Sequence, residues 1–476
     1  LAFTVNGTFV GIYSNYKTKK EFPKKFFSKE VVAVANDALE KEAEYWIKNR
    51  PLPLTAAEGV DYHKKDSIKL VKKTPAYQDS LDRKNNKFHL LKLLLIGYRY
   101  TKTSKEYAIA FPTLPKAISF NAVEGTALDL DFNFRKQLSD KKRYYIKPGL
   151  RLGWASRTAL PKFTARYFYD NYTNASIGFS IGHYHSDLDN RNVHPAVINS
   201  FYSLLARSPK LKLYSRKLIR IWHEQEIVNG LQLKSSLHYE ERDPLSNSSQ
   251  FSWFGNKSEL YPSNNPELFP IQESERSFIV STEAEITFDQ KYERLPNEKF
   301  RYTSDYPVVT IAVKAGIPTL KAASDFIAAE ISVVDNLDFK RIGRLDYRLV
   351  AGDYFRSEQL SYPDVKQFNG NQTIISNDPM QFFQAHDLYS KATSGRYFEW
   401  HTAHHFGGLI SNQIPGFRNL QWRFVAGFNG YLAEGLDHHM EYSIGLENIL
   451  KLFQVDFTQS LTSDHWGIRI TVPFGL

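Results

Sequence analysis

The sequence contains no cysteine, which excludes disulfide bonds, thiolate metal sites and a cysteine nucleophile. It also has no run of about 18 apolar residues, the length that a membrane-spanning helix needs. The nearest stretch, residues 90–96, is short and carries Lys92. No charged-then-apolar leader begins at Leu1, so we expect a signal peptide, and whole domains with it, to lie outside this sequence.

Positive charge is in modest excess and is spread along the chain. Lysine and arginine outnumber aspartate and glutamate by 61 to 51, which gives a formal net charge of +10. The densest basic patch, residues 17–25, lies in a short N-terminal segment. Because nucleic-acid binding needs a clustered basic face, we expect no nucleic-acid partner.

Aromatic residues are abundant. The chain has 28 Tyr, 34 Phe and 7 Trp, together 14% of its residues. Its mean hydropathy of −0.43 would suit a soluble protein. Outer-membrane barrels share such values because only every second strand residue faces lipid. The aromatic surplus fits the two aromatic girdles of such a barrel.

Apolar and polar side chains alternate over most of the sequence. In the last segment, residues 466–476, bulky apolar side chains share one face of a strand, and small or polar ones share the other. Asp129 and Asp131 alternate with apolar residues in the same way. Burying them in a dry core is costly, whereas a wet lumen tolerates them. A long series of such strands favours a transmembrane barrel over the alternative, a soluble multi-sheet protein.

We therefore predict an all-β membrane protein, a closed antiparallel transmembrane β-barrel of about 16 strands, with about 14 to 18 as the range. Residues 116–476 form the predicted barrel, and residues 1–115 form a small periplasmic helical cap or plug region. The predicted strands cover residues 118–134, 142–156, 162–171, 174–185, 213–224, 228–241, 276–290, 304–316, 322–336, 341–355, 380–392, 395–409, 416–432, 438–448, 450–462 and 464–475. The longer connections are expected at 186–212, 242–275 and 356–379.

Within the N-terminal region the pattern predicts a helix over 29–48 and a second over 56–72. The second begins at Thr55-Ala56-Ala57-Glu58, a capping box in which the Thr and Glu side chains each satisfy a free backbone amide. Residues 80–87 are polar and predict a loop. Residues 90–98 fit either a helix or a strand.

Charged residues on the polar faces of the predicted strands are candidates for lining the lumen. They are Arg151, Glu283, Glu285, Arg344, Arg348, Glu399, His401 and Arg423. The segment Phe368-Asn369-Gly370-Asn371-Gln372-Thr373 is the most individual loop, because Gly370 between two amides permits a positive φ. It predicts either a loop folded into the barrel or a surface turn.

Two patterns suggest chemistry. Residues 178–182 match G-x-S-x-G, but Ser180 lies inside a predicted strand rather than on the sharp turn of a hydrolase nucleophile elbow. His401, His404 and His405 lie in one segment, of which His401 and His405 are expected to face the lumen and His404 to face outward. An ordered hydrogen-bond cluster is the ordinary interpretation of such histidines, with metal binding or proton relay as alternatives. We expect no enzymatic activity, no metal and no cofactor.

Several motifs resemble one family in order and spacing. They are Tyr45-Trp46, Asn49-Arg50-Pro51-Leu52-Pro53-Leu54-Thr55, Phe120-Asn121-Ala122-Val123-Glu124-Gly125, Phe368-Asn369-Gly370-Asn371-Gln372-Thr373 and His404-His405-Phe406-Gly407-Gly408-Leu409-Ile410-Ser411-Asn412-Gln413-Ile414-Pro415. The family is a group of Bacteroidota outer-membrane barrels of unknown function that usually follow a carboxypeptidase-like regulatory domain. The resemblance implies a barrel and no peptidase activity.

A more distant resemblance is to barrels of the BamA/TamA type, in residues 442–446, 455–457 and the closing strand. That resemblance implies a 16-stranded barrel, a loop in the lumen at 363–372 and a last strand that pairs only partly with the first. The sequence departs from the group because it has no Arg-Gly-Phe or Arg-Gly-Tyr motif after Gly370. Its N-terminal region also reads as helical rather than as POTRA repeats.

The predicted function is that of an outer-membrane protein in envelope biogenesis, as a component of outer-membrane protein assembly or export. The first and last strands would then part, and the candidate residues are the strand ends Phe120, Phe134, Trp466 and Phe474 together with the 368–373 loop. The alternative is a solute channel or transporter, and the least supported function is an outer-membrane hydrolase. Expected partners are outer-membrane lipid and other envelope proteins in a complex.

Overall fold

A computed structural model describes residues 21–22, 28–35, 37–38, 41–50, 52–139, 141–189, 194–254, 259–265, 273–376 and 378–471. The dominant feature is one large sheet, whose strands pair antiparallel except for one short ladder. None of the helices in these ranges is long and apolar enough to cross a membrane.

The N-terminal region mixes short helices with three strands. Its elements are β1 (Glu30–Ala33), α1 (Ala43–Asn49), α2 (Ala56–Lys73), α3 (Pro75–Asn85), α4 (Leu90–Leu95), β2 (Tyr98–Lys102), β3 (Tyr107–Phe111) and α5 (Leu114–Ala117). The capping box at the start of α2 is confirmed, because Thr55 and Glu58 exchange both hydrogen bonds. The loop predicted over 80–87 is wrong, since most of it lies in α3, which Thr74 caps.

The helix predicted over 29–48 is also wrong at its start. Residues 30–33 form β1, which pairs in parallel with a strand at 292–294, so a partner from a distant hairpin overrides the local helical pattern. The ambiguous stretch 90–98 resolves into α4 followed by the first residue of β2.

The remaining elements belong to the large sheet and its connections. They are β4 (Ile118–Asn121), β5 (Gly125–Asp131), β6 (Asn133–Ser139), β7 (Lys142–Gly153), β8 (Thr158–Asp170), β9 (Ala175–Asp187), α6 (Ala196–Ala206), β10 (Leu213–Val228), β11 (Leu231–Pro244), β12 (Glu275–Thr287), β13 (Tyr292–Arg294), β14 (Lys299–Arg301), β15 (Val308–Gly316), β16 (Asp325–Asp338), β17 (Arg344–Gln359), β18 (Lys366–Gln367), β19 (Ile375–Ser376), β20 (Ala392–Thr393), β21 (Tyr397–His405), α7 (Pro415–Leu420), β22 (Arg423–Ala433), β23 (His439–Ile449), β24 (Phe453–Ser460) and β25 (Trp466–Thr471).

Sequential antiparallel pairing runs from β7 to β12, continues through β15, β16 and β17 to β21, and ends at β25. On the other side of β7 the sheet divides. Its first half pairs with β6 and its second half with β5, while β3 pairs with β6 and β4 with β5. The ladders among the described residues leave β25 as the outermost strand at one end of the sheet, and β4 and β2 as the outermost strands of the two branches at the other end. β25 pairs with neither β4 nor β2.

The single strand predicted over 118–134 is therefore wrong. Residues 122–124 form a tight turn that folds β5 back on β4. Gly125 has a φ of +67°, a conformation that residues with a Cβ rarely adopt, and it allows this reversal. Two other strand predictions fail: 380–392 is largely irregular, and 416–432 begins with α7 before β22.

The alternation predicted from the sequence is confirmed along the strands. On β21, Phe398 is 40% exposed on the outer face, whereas Glu399 and His401 are fully buried on the inner face. On β25, Trp466 and Ile468 are exposed on the outer face. The sheet thus has an apolar outer surface and a polar interior, the reverse of a soluble protein's usual arrangement.

The connections vary in length at both rims of the sheet. One rim has short turns such as 171–174, 229–230 and 450–452, together with the longer connections 288–307 and 406–422. The three long connections that the sequence predicts lie at the other rim, between β9 and β10, β11 and β12, and β17 and β21. The last of these turns inward and forms the candidate functional site.

Candidate functional site

The connection between β17 and β21 fills the interior of the sheet. We call residues 361–393, of which 377 is outside the described residues, the plug segment. Most of its described side chains are buried, with Tyr362 and Phe368 at 0% and Phe383 at 1% exposure. A connection of this length without regular structure is uncommon in a compact protein unless it has a function.

Ion pairs hold the start of the plug segment to β11 and β15. The guanidinium of Arg242 lies 2.5 Å from the carboxylate of Asp364, and Lys314 lies 2.6 Å from the same carboxylate. Arg242 also contacts Glu240 and the hydroxyl of Ser361. Burial acts to raise the pKa of Asp364, but the positive charges of Arg242 and Lys314 outweigh it and hold this pKa well below its usual range. The carboxylate is therefore charged and paired.

A second ion pair joins the middle of the plug segment to β16 and β21. The ammonium of Lys366 lies 2.8 Å from Glu399 and 2.9 Å from Glu330. Glu399 also lies 2.9 Å from Nε2 of His401 and 3.4 Å from Arg348. Three of the predicted lumen residues, Arg348, Glu399 and His401, thus meet in one cluster. This cluster binds the chain's own lysine.

Backbone groups of the plug segment bind the wall opposite these ion pairs. The carboxylate of Glu441 on β23 accepts the backbone N–H groups of Gln384 at 2.8 Å and Ala385 at 2.7 Å. Arg469 on β25 donates to the carbonyl oxygens of Gln384 at 2.9 Å and Asn371 at 3.0 Å. Since one segment contacts β11, β15, β16, β21, β23 and β25, it spans the interior from wall to wall.

The 368–373 motif forms the tightly packed centre of the plug segment. The ring of Phe368 stacks on Tyr431 with centroids 4.0 Å apart. Asn369 donates to Asp189 at 2.8 Å, and Asn371 accepts from the backbone N–H of Thr373 at 2.9 Å. Of the two alternatives for this loop, the structure has the one folded inward. Gln372 is the exposed exception.

Gly370 does not have the positive φ for which the sequence pattern suggested a glycine. A Cβ at this position would instead clash with the backbone carbonyl of His386, because the two passes of the plug segment approach closely there. Glycine is required here because the two backbone passes leave no room for a Cβ, and not because a turn needs a positive φ.

One edge of the sheet is covered by helix α6. The backbone N–H of Phe120 on β4 donates to the hydroxyl of Ser200 at 2.8 Å. Its carbonyl oxygen accepts from Asn199 at 3.1 Å and from Ser200 at 3.2 Å. Two helix side chains therefore occupy the place of a neighbouring strand at this position, a known way of protecting an edge.

The other edge is covered by a short strap, residues 374–376, from the plug segment. Ile375 and Ser376 pair in parallel with Ile470 and Thr471 of β25, and the N–H of Ile470 donates to the carbonyl of Ile374 at 2.7 Å. The N–H of Ile374 in turn donates to the hydroxyl of Tyr202 on α6 at 3.0 Å. The covers of the two edges are thus linked.

The other predicted lumen residues have separate environments. Arg151 binds Glu124 at 2.5 Å and also contacts Asp129. Arg344 and Arg423 line one cavity of about 600 Å³ with His405 and Glu447. Glu283 and Glu285 are exposed on β12.

Of the four predicted strand-end residues, two lie on the outermost strands β4 and β25 of the sheet. Phe120 lies at a sheet edge, as described above, and Trp466 on the opposite edge strand is 65% exposed. Phe134 does not lie at an edge, because β3 pairs with β6 outside it. Phe474 lies outside the described residues.

The two patterns that suggest chemistry, around Ser180 and in the histidine segment 401–405, lie on different strands, β9 and β21. Ser180 is inside β9 and contacts the hydroxyls of Thr164 at 3.1 Å and Tyr184 at 3.0 Å, so it lacks a histidine base. His405 binds Glu447 at 2.7 Å, and His404 lies near the carbonyl oxygen of Ile342 at 3.1 Å. In the parts of the chain that the structure describes, no three His, Asp or Glu side chains are grouped to hold a metal ion.

Several contact residues were missed by the sequence reasoning. Arg242, Asp364 and Glu441 hold the plug segment, and Asn199 and Tyr202 cover the edges. Glu441 carried a signal, because it is a charged residue within the predicted strand 438–448. Arg242 carried less, because it lies one residue past the predicted strand 228–241, in a predicted connection. The α6 residues carried none, since a helix in a loop gives no sign of its partner.

Residues 91–446 match the family model described as "Family of unknown function (DUF5686) C-terminal domain". The chain belongs to this family. No curated protein matches it.

Several solved structures are similar to this chain at low sequence identity. One is BamA from Haemophilus ducreyi lacking POTRA domains 1–3, at 9% identity and a TM-score of 0.40, covering 77% of this chain and 69% of that one. CdiB from Acinetobacter baumannii has 9% identity and a TM-score of 0.36, covering 74% of this chain and 57%, less than two thirds, of that one. A Rhodopseudomonas blastica porin mutant has 10% identity and a TM-score of 0.30, covering 72% and 89%.

Proposed function

We propose that this DUF5686 family member is an outer-membrane protein of envelope biogenesis, a component of outer-membrane protein assembly or export. One observation carries the proposal: the interior is filled by the chain's own plug segment, while the edges at β4 and β25 are each covered by a small element of the chain. A protein that works through its edges needs reversible edge covers. A protein that works through its lumen needs an open lumen.

The chemistry of such an activity is backbone hydrogen bonding. An uncovered edge presents a row of N–H and C=O groups to which an incoming strand can add. The strap makes only a short parallel ladder with β25, whereas sequential barrel strands such as β10 and β11 pair over most of their length. The strap is therefore the cheaper contact to replace. No enzymatic activity is part of this proposal.

We further propose that the two edges approach each other and close a transmembrane barrel of about 16 strands in the outer membrane. The apolar outer surface supports contact with outer-membrane lipid, and other envelope proteins are the proposed partners. The family resemblance also favours a Bacteroidota source and a carboxypeptidase-like regulatory domain in the same protein. Neither feature is needed for the edge activity.

A solute channel is the second candidate, and the cavity lined by Arg344 and Arg423 favours it. Two arginines at such a cavity would select anions. For transport, however, the plug segment would have to leave the interior, which means separating the buried pair Arg242–Asp364 and the buried Lys366–Glu399 pair. Breaking such contacts is costly.

A disulfide across the strap tests the proposal. Ser376 and Thr471 are direct ladder partners, so Ser376→Cys with Thr471→Cys places two thiols within bonding geometry in a chain without other cysteines. The control is Ser236→Cys with Ser281→Cys, whose hydroxyls lie 2.8 Å apart across two interior strands that stay paired in any case.

Each variant is expressed while the native protein is depleted, and the outer-membrane proteome is measured. We expect the oxidised strap variant to fail to restore outer-membrane proteins, and a reductant to reverse the failure. The control pair restores them in both redox states. If the oxidised strap variant fully restored the outer-membrane proteins, the edge at β25 would have no part in the activity, and the proposal would be wrong.

A further inference from the structure

An apolar groove lies beside the edge of β4 that α6 covers. Its volume is about 520 Å³, within the range of binding sites for small ligands. Its walls come from β4, α6, the 251–253 loop, α5 and α4. Val197 and Leu204 of α6 line it opposite Phe120 of β4.

The groove has no charged lining residue and little unsatisfied polarity. Ser200 is its central polar group, and its hydroxyl is already bonded to the backbone of Phe120 and of Ala196. Phe120 packs its ring against Phe251 with centroids 6.1 Å apart. A ligand here gains by apolar contact and has few hydrogen bonds to offer or to satisfy.

The rim of the groove is made of large apolar side chains that remain exposed. Phe201 is 54% exposed, Phe251 and Trp253 are each 57% exposed, and Ile118 is 49% exposed. Exposed apolar side chains grouped around a cavity mark a contact surface. They are continuous with the outer face of the sheet, because Ile118 is the ladder partner of Leu128 on β5.

We propose that this groove binds one acyl chain of a membrane lipid. The proposal rests on the proposed membrane location but not on the assembly activity. A peptide strand fits less well, because the N–H and C=O of Phe120 are already bonded to Asn199 and Ser200. An alkyl chain needs no such groups and buries the exposed rim. A bound acyl chain would lie against α6 and hold that edge cover in place.

Photolabelling of the purified full chain in detergent tests the proposal. The probe is a phosphatidylethanolamine with a diazirine on one acyl chain, and labelled peptides are identified by mass spectrometry. We expect saturable labelling concentrated in peptides that contain residues 114–126 and 197–206. Leu204→Trp fills the groove and should lower this labelling by about tenfold, the effect of excluding roughly two methylene groups.

Ile331→Trp is the matched control, because Ile331 is 42% exposed on the outer face of β16, a strand that pairs with β15 and β17 and not with β4. It should leave the groove labelling unchanged. Val197→Trp serves as a second groove variant if Leu204→Trp does not fold. Labelling spread evenly over the outer strands, or unchanged in both groove variants, overturns the proposal.

Two further outcomes identify other occupants and also overturn it. A crosslink between two copies of the chain through these peptides assigns the groove to self-association, and displacement of the probe by an apolar peptide assigns it to a protein segment. The readout does not involve assembly. Its failure is thus distinct from failure of the proposed function, which the disulfide experiment reports.

Discussion

The backbone N–H of Ile374 donates a hydrogen bond to the hydroxyl of Tyr202 at 3.0 Å, and this contact links the covers of the two sheet edges. Ile374 belongs to the strap on β25, and Tyr202 belongs to the helix that covers β4. The two residues are 172 positions apart in the sequence. The edge covers are therefore coupled, and disturbing one is expected to loosen the other.

The variant Tyr202→Phe tests this coupling. It removes the acceptor and keeps the ring, so we expect hydrogen exchange at the amide of Ile374 to accelerate by roughly fivefold, the value of one ordinary hydrogen bond. Exchange on β10 and β11 should not change. Tyr442→Phe is the control, because it removes the Tyr442 hydroxyl, which bonds Gln459 on the neighbouring strand β24, away from the strap. Equal exchange at Ile374 in parent and Tyr202→Phe would show that the link contributes nothing.

Replacement of Arg242 tests the plug anchor. Arg242→Met leaves the buried Asp364 with Lys314 as its main partner, so we expect the folded state to lose about 3–5 kcal/mol, as for other broken buried pairs. Unfolding in urea, followed by tryptophan fluorescence, measures the loss. The double variant Arg242→Met with Asp364→Leu should recover much of it, since no unpaired charge remains. No recovery would mean that the pair has another role.

The ion pair between Arg242 and Asp364 should stay intact over a wide range of pH. The pKa of Asp364 is lower in the folded chain than in the unfolded chain, so its stabilisation is fully present above the unfolded value of about 3.9. It is lost only as the pH falls through the lower folded-state value. The difference in unfolding free energy between the parent chain and Asp364→Asn should therefore stay constant from neutral pH to about 4.5, somewhat above that unfolded value. Comparing the two chains cancels the pH dependence of other groups in the segment, such as the buried His386, whose pKa burial lowers. A difference that shrinks in mildly acidic buffer would contradict the assignment.

Gly370→Ala tests the close approach inside the plug segment. A methyl group there meets the carbonyl of His386, so we expect a loss of about 1–3 kcal/mol in unfolding experiments, typical of overpacking. Gly416→Ala on α7 is the control, because nothing lies within 4 Å of the added carbon. A neutral Gly370→Ala variant would show that the two passes of the segment separate easily.

The strands were predictable from the sequence because alternation is a local property. β7 to β12 and β22 to β25 follow it closely, since each buries a polar face and exposes an apolar one. The turn at 122–124 and strand β1 were not predictable in this way, because each depends on its partner. Nothing in the 118–134 pattern marks a reversal except Gly125.

The candidate site was predictable only in part. The 368–373 motif stood out through its amides and glycine, and its place in the interior was one of two alternatives. The residues that hold the plug segment, Arg242 and Glu441, lie more than 50 positions from their partners in it, so their pairing follows from the folded sheet and not from local pattern. Helix α6 was missed because its residues lie within the connection predicted at 186–212, where the content of Pro, Asn and Ser indicates a loop.

Single-channel recording in a planar bilayer tests the central claim most directly, namely that the plug segment closes the lumen and leaves the edges as the working surfaces. The parent chain is reconstituted beside Arg242→Met, whose plug is weakened. The account predicts negligible steady conductance for the parent and more frequent openings for the variant. A large, steady open current in the parent chain would contradict it.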